Sequence, residues 1–185
     1  DVPANIDVAG VELGSPTNLL GAAKVTGQSG GWRYGVLGAS EDEVSLRGTI
    51  NTGVNQGQEI NVTEDGRDFG VVRLLYEDVG EGRRSIGYLG TVVSYPDTEA
   101  VVHGVDSHWL SKNGAWQVDG QLITSDVADE VGYGGLVDTA YKPKQGTEHK
   151  LSLDYFDDSL DVSDLGFIRR NDVTSAVYSL SLIHI

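Results

Sequence analysis

Apolar and polar residues alternate with a period of two along most of this 185-residue chain. In residues 115–125, Trp116 and Leu122 fall on one side, and Gln117 and Asp119 fall on the other. Successive side chains of a β-strand point to opposite faces, so this alternation predicts strands with one apolar face. Glycine, at 25 residues, is too frequent for long helices, because each costs roughly 1 kcal/mol against alanine inside one. The sequence therefore predicts an all-β fold.

Nine segments carry this pattern, and turn residues separate most of them. The segments are residues 19–26, 32–37, 71–76, 85–92, 101–109, 115–125, 132–141, 148–155 and from 173 onward. Gly30-Gly31, Pro96-Asp97, Asn113-Gly114 and Gly146 are typical of tight turns between antiparallel strands. Two connections, residues 41–67 and 157–171, are long. We predict an antiparallel up-and-down meander of about nine strands.

Composition excludes several classes of function. The net charge is −15, which argues against nucleic-acid binding because phosphate neutralisation needs clustered lysine and arginine. The chain has no cysteine, so it has no disulfide and no cysteine-ligated metal site. No run of ~18 apolar residues predicts a transmembrane helix. Motifs for phosphate, dinucleotide or zinc binding are lacking, and we predict no cofactor and no metal.

Two architectures fit the pattern: a transmembrane β-barrel, whole or in part, and a soluble antiparallel barrel or sandwich. A transmembrane strand needs only about 9–11 alternating residues. Aromatic residues near strand ends favour the barrel, because such barrels carry aromatic girdles, although aromatic residues are common in any strand. These residues are Trp32, Tyr34, Tyr76, Tyr88, Tyr95, Trp109, Trp116, Tyr133, Tyr141, Tyr155 and Tyr178.

Several short motifs occur in an order and spacing that resemble a known bacterial family. They read LGAAKVTG at 20–27, GWRYGVL at 31–37, RRSIGYLGT at 83–91, GVD at 104–106, QLITS at 121–125 and DLGFIRRND at 164–172. The chain resembles, over residues 18–180, uncharacterised barrel-like domains that follow a family 9 carbohydrate-binding-like module. The last motif is the most specific, with Ser163 where the family usually has Asn.

The resemblance implies a fragment of an outer-membrane β-barrel of a diderm bacterium. It implies outer-membrane lipid as a partner, and oligo- or polysaccharide as a ligand of an upstream module outside this sequence. It implies no reaction. Residues 1–185 are expected to form a single barrel fragment, and residues 181–185, which depart from the family, are expected to be a non-native tail.

In such a barrel the polar residues of the alternating strands would face the lumen. These residues are Lys24, Arg73, Asp106, His108, Gln117, Asp119, Gln121, Lys150 and Asp154. Asp106 and His108 share a strand face. This spacing would allow them to bind a metal ion, or would allow His108 to act as a general base that Asp106 orients. We favour a third interpretation, in which they are a polar pair in the lumen. Carboxylates such as Asp138 and Asp154 are candidates for glycosidase chemistry, with solvated lumen charges as the favoured reading.

The last motif defines a signature loop. Its residues are Asp164, Gly166, Arg169, Arg170, Asn171 and Asp172. We expect the two arginines to neutralise the run of aspartates between 157 and 164, in preference to calcium. Gly166 is expected to supply a positive φ, and Asn171 and Asp172 to turn the chain into the last strand.

The expected function is a membrane scaffold or transport-associated barrel coupled to a carbohydrate-binding module. The alternatives are a cell-surface glycan hydrolase and a soluble carbohydrate-binding β-sandwich. Catalysis by this segment is the less favoured reading. A sandwich would seal Trp116, Leu122, Leu151 and Leu153 between two sheets, whereas a barrel would leave them on its outer surface.

Overall fold

A computed structural model describes residues 6–8, 17–95, 98–166 and 168–183. These residues form strands, turns and irregular segments and contain no helix, so none that could cross a membrane occurs among them. Pro96, Asp97 and Phe167, which belong to an expected turn and to the signature motif, lie outside the described residues. The strands are β1 (Ile6–Val8), β2 (Leu19–Ser29), β3 (Trp32–Glu41), β4 (Val44–Ile50), β5 (Glu59–Glu64), β6 (Asp68–Asp78), β7 (Arg83–Ser94), β8 (Glu99–Leu110), β9 (Trp116–Val127), β10 (Glu130–Lys144), β11 (Thr147–Phe156) and β12 (Val173–Leu182).

Nine of these strands form one antiparallel sheet in the order β12-β11-β10-β9-β8-β7-β6-β3-β2. The order confirms the predicted all-β meander, and the nine strands coincide with the nine alternating segments. The sheet is not closed, because β2 and β12 are its two edges. β12 includes Ser181 and Leu182, which pair with Glu148 and Thr147 of β11.

The connection at 41–67, which was predicted only to be long, contains strands of its own. It contains the hairpin of β4 and β5, to which β1 adds a third antiparallel strand. Val44 and Leu46 alternate there with Ser45 and Arg47, and this pattern was the overlooked signal for β4. Because β4 and β5 form a separate sheet, β3 pairs directly with β6.

The connections of the large sheet differ between its two ends. At one end, which we call the turn end, they are residues 30–31, 79–82, 111–115 and 145–146. Gly30, Gly114 and Gly146 have φ of 56°, 68° and 78° there, as the predicted turns require. At the other end, the loop end, lie residues 42–67, 95–98, 128–129 and 157–172. Both long connections are therefore at the same end.

The buried core is small and lies at the loop end. Val93, Ala100, Ser125 and Leu160 are almost wholly buried. The first three belong to β7, β8 and β9, and Leu160 comes from the 157–172 connection. Most of the sheet therefore has no packed interior on either side within the described residues.

Candidate functional site

The strand register assigns every side chain of the large sheet to one of two faces, because directly paired residues point to the same side. Val137 pairs with Leu153 and with Gly120, and two residues earlier Gly135 pairs with Tyr155 and Leu122. We call this side the apolar face. Its large side chains are Val25, Trp32, Tyr34, Val36, Val72, Leu74, Tyr76, Ile86, Tyr88, Val92, Val101, Val105, Trp109, Trp116, Val118, Leu122, Val131, Tyr133, Val137, Tyr141, Leu151, Leu153, Tyr155, Tyr178 and Leu180.

No other segment among the described residues covers the apolar face. Trp116 is 44% exposed, Leu122 70%, Leu151 38% and Leu153 43%. These are the four residues that a sandwich would have sealed between its sheets. A contiguous exposed apolar area of this kind marks a surface that contacts another protein, a ligand or a membrane.

Charged residues on the apolar face occur only at the ends of its strands. Asp78 and Arg84 lie at the turn end, and Asp68, Glu99 and Asp126 lie at the loop end. On β6 the two aspartates are ten residues apart, which is about 33 Å along a strand. With the ~40° tilt of barrel strands, that length spans about 25 Å. The face is thus an apolar band with charged borders.

Aromatic side chains line the turn-end border of this band. The rings of Trp32 and Tyr76 are 5.0 Å apart. A row across β9 to β12 continues the border: the rings of Trp116 and Tyr141 are 4.2 Å apart, and Tyr141 is 6.0 Å from His149. The next ring in the row is that of Tyr178, whose hydroxyl lies 2.8 Å from His149 Nδ1. Tyr133 and Tyr155 lie on the same face nearer the loop end, so the aromatic residues are concentrated at the turn-end border without being confined to it.

The opposite side of the sheet, which we call the polar face, carries all nine residues predicted for a lumen. Their positions follow from the same register. That this face lines a lumen stays a prediction. Lys24, Gln121 and Asp154 make no side-chain hydrogen bond or ion pair within the described part of the chain, whereas the other six take part in the contacts described next.

Arg73 and Asp106 form a two-pronged ion pair across β7. The Arg73 guanidinium donates to both carboxylate oxygens, with Nη2 3.0 Å from Oδ2. Gly87 lies between them, and a Cβ there would be 2.6 Å from Arg73 Nη2. The absence of a side chain at Gly87 is therefore what lets the pair cross the intervening strand.

His108 pairs with Asp119 and not with Asp106, its neighbour on the same strand. The distance from His108 Nδ1 to Asp119 Oδ1 is 2.5 Å, and Gln117 Nε2 donates to Asp119 Oδ2 at 2.6 Å. The expected pairing of Asp106 with His108 was wrong, because Asp106 is taken by Arg73. His108 Nε2 is out of contact with solvent and has no hydrogen-bond partner among the described residues.

Two charge clusters at the turn end of the polar face were not predicted. Glu77 accepts from Arg33 at 2.7 Å and from Arg83 at 2.5 Å. A second cluster joins Glu148 to Lys142 at 3.3 Å and to the predicted Lys150 at 3.4 Å. The alternation along each strand could have predicted which face these residues are on. Their ion-pair partners could not be predicted, because they depend on the register between neighbouring strands.

The 157–172 connection folds back over the polar face at the loop end. Leu160 is 1% exposed and packs where β10 has no side chains: a Cβ at Gly134 would be 2.8 Å from Leu160 Cδ2, and one at Gly132 would overlap its backbone. The Asp161 amide donates to Ser125 Oγ at 3.0 Å. The Tyr95 hydroxyl after β7 donates to Asp164, so the connection extends from β11 across three neighbouring strands.

Three aspartates of this connection, Asp157, Asp161 and Asp164, accept hydrogen bonds from amide or hydroxyl donors and not from arginine, contrary to expectation. Neither Arg169 nor Arg170 forms an ion pair within the part of the chain that the structure describes. The Ser163 hydroxyl and amide hydrogen-bond to Asp161 and lower the pKa of its carboxyl below 3.8. Donation to Asp164, aided by partial burial, raises the pKa of Tyr95 above 10.0.

The positive φ of the signature loop falls on Asp172 and not on Gly166. Asp172 has φ of 52°, and its amide donates to the Asp157 carbonyl at 3.2 Å. Asn171 Nδ2 donates to the Asp158 carbonyl at 2.7 Å. Gly166 serves a close approach instead, because a Cβ there would be 2.8 Å from the Val162 carbonyl oxygen. The expectation for Gly166 was therefore wrong.

Among the described residues, no three histidine, aspartate or glutamate side chains are placed to hold a metal ion together. No known protein family, curated protein or solved structure matches the chain.

Proposed function

We propose that the nine-stranded sheet is part of the wall of an outer-membrane β-barrel, with its apolar face against lipid and its polar face toward an aqueous lumen. The observation that carries the proposal is the exposed apolar band, about 25 Å high, with charged residues only at its borders. Barrel walls of outer membranes have an apolar band of this height.

Two further features support the proposal. An aromatic row lies at the turn-end border, where tyrosine and tryptophan rings of a barrel contact lipid headgroups. The connections at that end are short, and the two long connections, 42–67 and 157–172, are at the other end, where 95–98 and 128–129 are short as well. Long loops at one end only are usual in bacterial barrels.

The edges of the sheet support a wall that further strands complete. β12 has no charged residue and β2 has only Lys24, although unpaired edges of water-soluble sheets are usually protected by charge or proline. With nine antiparallel strands, β2 and β12 run in the same direction. An all-antiparallel barrel has an even number of strands, so closure takes an odd number of additional strands.

The proposed role is a membrane scaffold or transport-associated barrel in the outer membrane of a diderm bacterium. Its coupling to a carbohydrate-binding module has the sequence resemblance as its only support. A test of that part is glycan binding by a protein that contains both the module and this segment.

Tryptophan fluorescence in vesicles tests the lipid contact. All three tryptophans, Trp32, Trp109 and Trp116, lie on the apolar face toward its turn-end border. We expect bromine on lipid chains to quench their emission, more strongly when it is near the glycerol backbone than at the chain centre.

A pair of single-tryptophan variants sharpens this test. With the other tryptophans changed to Phe, Trp116 alone is expected to be quenched. A tryptophan placed next to it by Gln117→Trp, with Trp116→Phe, is expected to be quenched much less because residue 117 is on the polar face. Equal quenching of the two, or none in either, would refute the proposed wall.

A further inference from the structure

Three chemically complementary residues lie side by side on adjacent strands of the polar face. Ser85 of β7 pairs directly with His108 of β8, and His108 pairs directly with Asp119 of β9. Side chains directly opposite each other have Cβ atoms about 4.5–5.5 Å apart. The register therefore sets a hydroxyl, an imidazole and a carboxylate in one row.

One hydrogen bond of this row, between Asp119 and His108, has the arrangement found in a catalytic triad; Ser85 and His108 are neighbours by register and share no hydrogen bond in this structure. Asp119 binds His108 at Nδ1, with 2.5 Å between the atoms, and Gln117 holds the other carboxylate oxygen. A carboxylate at Nδ1 selects the tautomer whose Nε2 is free to accept a proton. Nε2 has no hydrogen-bond partner among the described residues, and Ser85 is the residue directly across from His108 on the other side.

We propose that Ser85, His108 and Asp119 form an esterase site on the polar face. Ser85 is the nucleophile, His108 the general base and then acid, and Asp119 a positioning residue. The substrate class is a carboxylic ester of a water-soluble alcohol, since Gln117, Asp106 and other polar side chains surround the row. This proposal does not depend on whether the apolar face contacts lipid.

The reaction balances with water as the second substrate. Ser85 Oγ bonds to the ester carbonyl carbon while its proton passes to His108 Nε2. The bond from that carbon to the alcohol oxygen then breaks, and the alcohol leaves with the proton from Nε2. Water attacks the acyl group in the same way, which releases the acid and returns the proton to Ser85 Oγ.

A cation for the negative oxygen of the intermediate is close by. Arg83 lies on the same face two residues before Ser85, and Glu77, which it binds through Nε, pairs directly with Ser85. A guanidinium has five N–H donors, so one contact to Glu77 leaves others free to donate. The backbone amides of these strands already donate hydrogen bonds within the sheet. The Arg83 side chain would therefore stabilise the oxyanion in place of backbone amides.

Covalent labelling of the full chain in lipid vesicles tests the nucleophile directly. We expect a fluorophosphonate probe to modify Ser85, as located by peptide mass spectrometry, and p-nitrophenyl acetate to be hydrolysed. His108→Gln is expected to lower hydrolysis by about 10²-fold or more, the usual contribution of a general base. Ser152→Ala, which removes a hydroxyl from the same row at β11, is the matched control and should change neither readout.

The role of Asp119 is tested by measuring kcat and KM separately. Asp119→Asn keeps the size of the side chain but replaces the carboxylate at His108 Nδ1 with an amide, which no longer selects the tautomer with Nε2 free. We expect kcat for p-nitrophenyl acetate to fall by about 10²-fold or more with KM unchanged, and Asp119→Glu to recover part of the loss. A kcat that stays the same in Asp119→Asn, or a change in KM alone, would contradict the positioning role.

The labelling of the unaltered chain decides the proposal even if a variant fails to fold. Absence of label on Ser85, or hydrolysis that is equal in Ser85→Ala and the unaltered protein, overturns the site. Bromine quenching measured on the same vesicles reports the wall separately, so the two proposals stand or fail independently.

Discussion

Leu122→Arg places a charge near the middle of the apolar band. Leu122 lies six residues from Trp116 and four from Asp126, which mark the two borders on β9. At about 3.3 Å per residue and ~40° tilt, these separations are about 15 Å and 10 Å along the membrane normal. An arginine at the mid-depth of a lipid-facing wall costs about 2–4 kcal/mol.

The expected result depends on what covers this face. If lipid covers it, Leu122→Arg should lower the free energy of unfolding from vesicles by about 2–4 kcal/mol. If water covers it, the change should stay within about 0.5 kcal/mol, because Leu122 is already 70% exposed in the chain itself.

Gln121→Arg is the matched control, because it adds the same side chain to the adjacent residue on the polar face. Denaturant titration in vesicles, followed by tryptophan emission, measures both variants. Equal effects of the two arginines, or a change in stability of less than about 0.5 kcal/mol for Leu122→Arg, would show that lipid does not cover the apolar face.

Two further changes test the 157–172 connection. Tyr95→Phe removes the hydrogen bond to Asp164 and should lower the free energy of unfolding by about 1 kcal/mol at neutral pH. Because this bond raises the pKa of Tyr95, the stability difference between variant and unaltered protein should be complete below pH 10 and disappear as pH rises through the raised pKa. Unfolding measured as a function of pH tests this, and a stability difference that persists at higher pH would contradict it. Gly132→Val should displace Leu160 and make tryptic cleavage in the connection faster. Gly104→Val is the control and should not change cleavage, because a Cβ at Gly104 would be 3.9 Å from its nearest neighbour. Equal cleavage rates in the two variants would contradict the packing of Leu160 on β10.

The strands were predictable because alternation is a local property of the sequence. Residues 115–125 show which side chains share a face without any knowledge of the neighbouring strand. The hairpin of β4 and β5 was missed because its strands are short and lie within a connection that was treated as one loop.

Contacts between strands were not predictable in the same way. The face of His108 follows from parity, but its partner depends on the register of β8 against β9, which places Asp119 directly opposite. Asp106, two residues away, is bound by Arg73 only because Gly87 leaves room across β7. The first pairing depends on two strands and the second on three, and a single chain segment contains no signal for either.

The signature loop shows a similar limit for backbone conformation. Gly166 is the residue expected to adopt a positive φ, since glycine does so without strain, yet the left-handed conformation is at Asp172. The hydrogen bond from its amide to Asp157 fixes the return of the chain into β12. The hydrogen bonds that close the loop, and not the conformational preference of glycine, therefore determine which residue has the positive φ.

A cysteine scan along β9 tests the alternation of environments most directly, and the chain is suited to it because it has no cysteine of its own. A nitroxide label at each of residues 117–125 in vesicles reports access to oxygen, which concentrates in lipid, and to a water-soluble nickel complex. We expect a period of two, with greater access to oxygen at the apolar-face positions 118, 120, 122 and 124 and greater access to the nickel complex at 117, 119 and 121. Accessibility that does not alternate, or that alternates in the opposite phase, would contradict the assignment of the two faces to lipid and water.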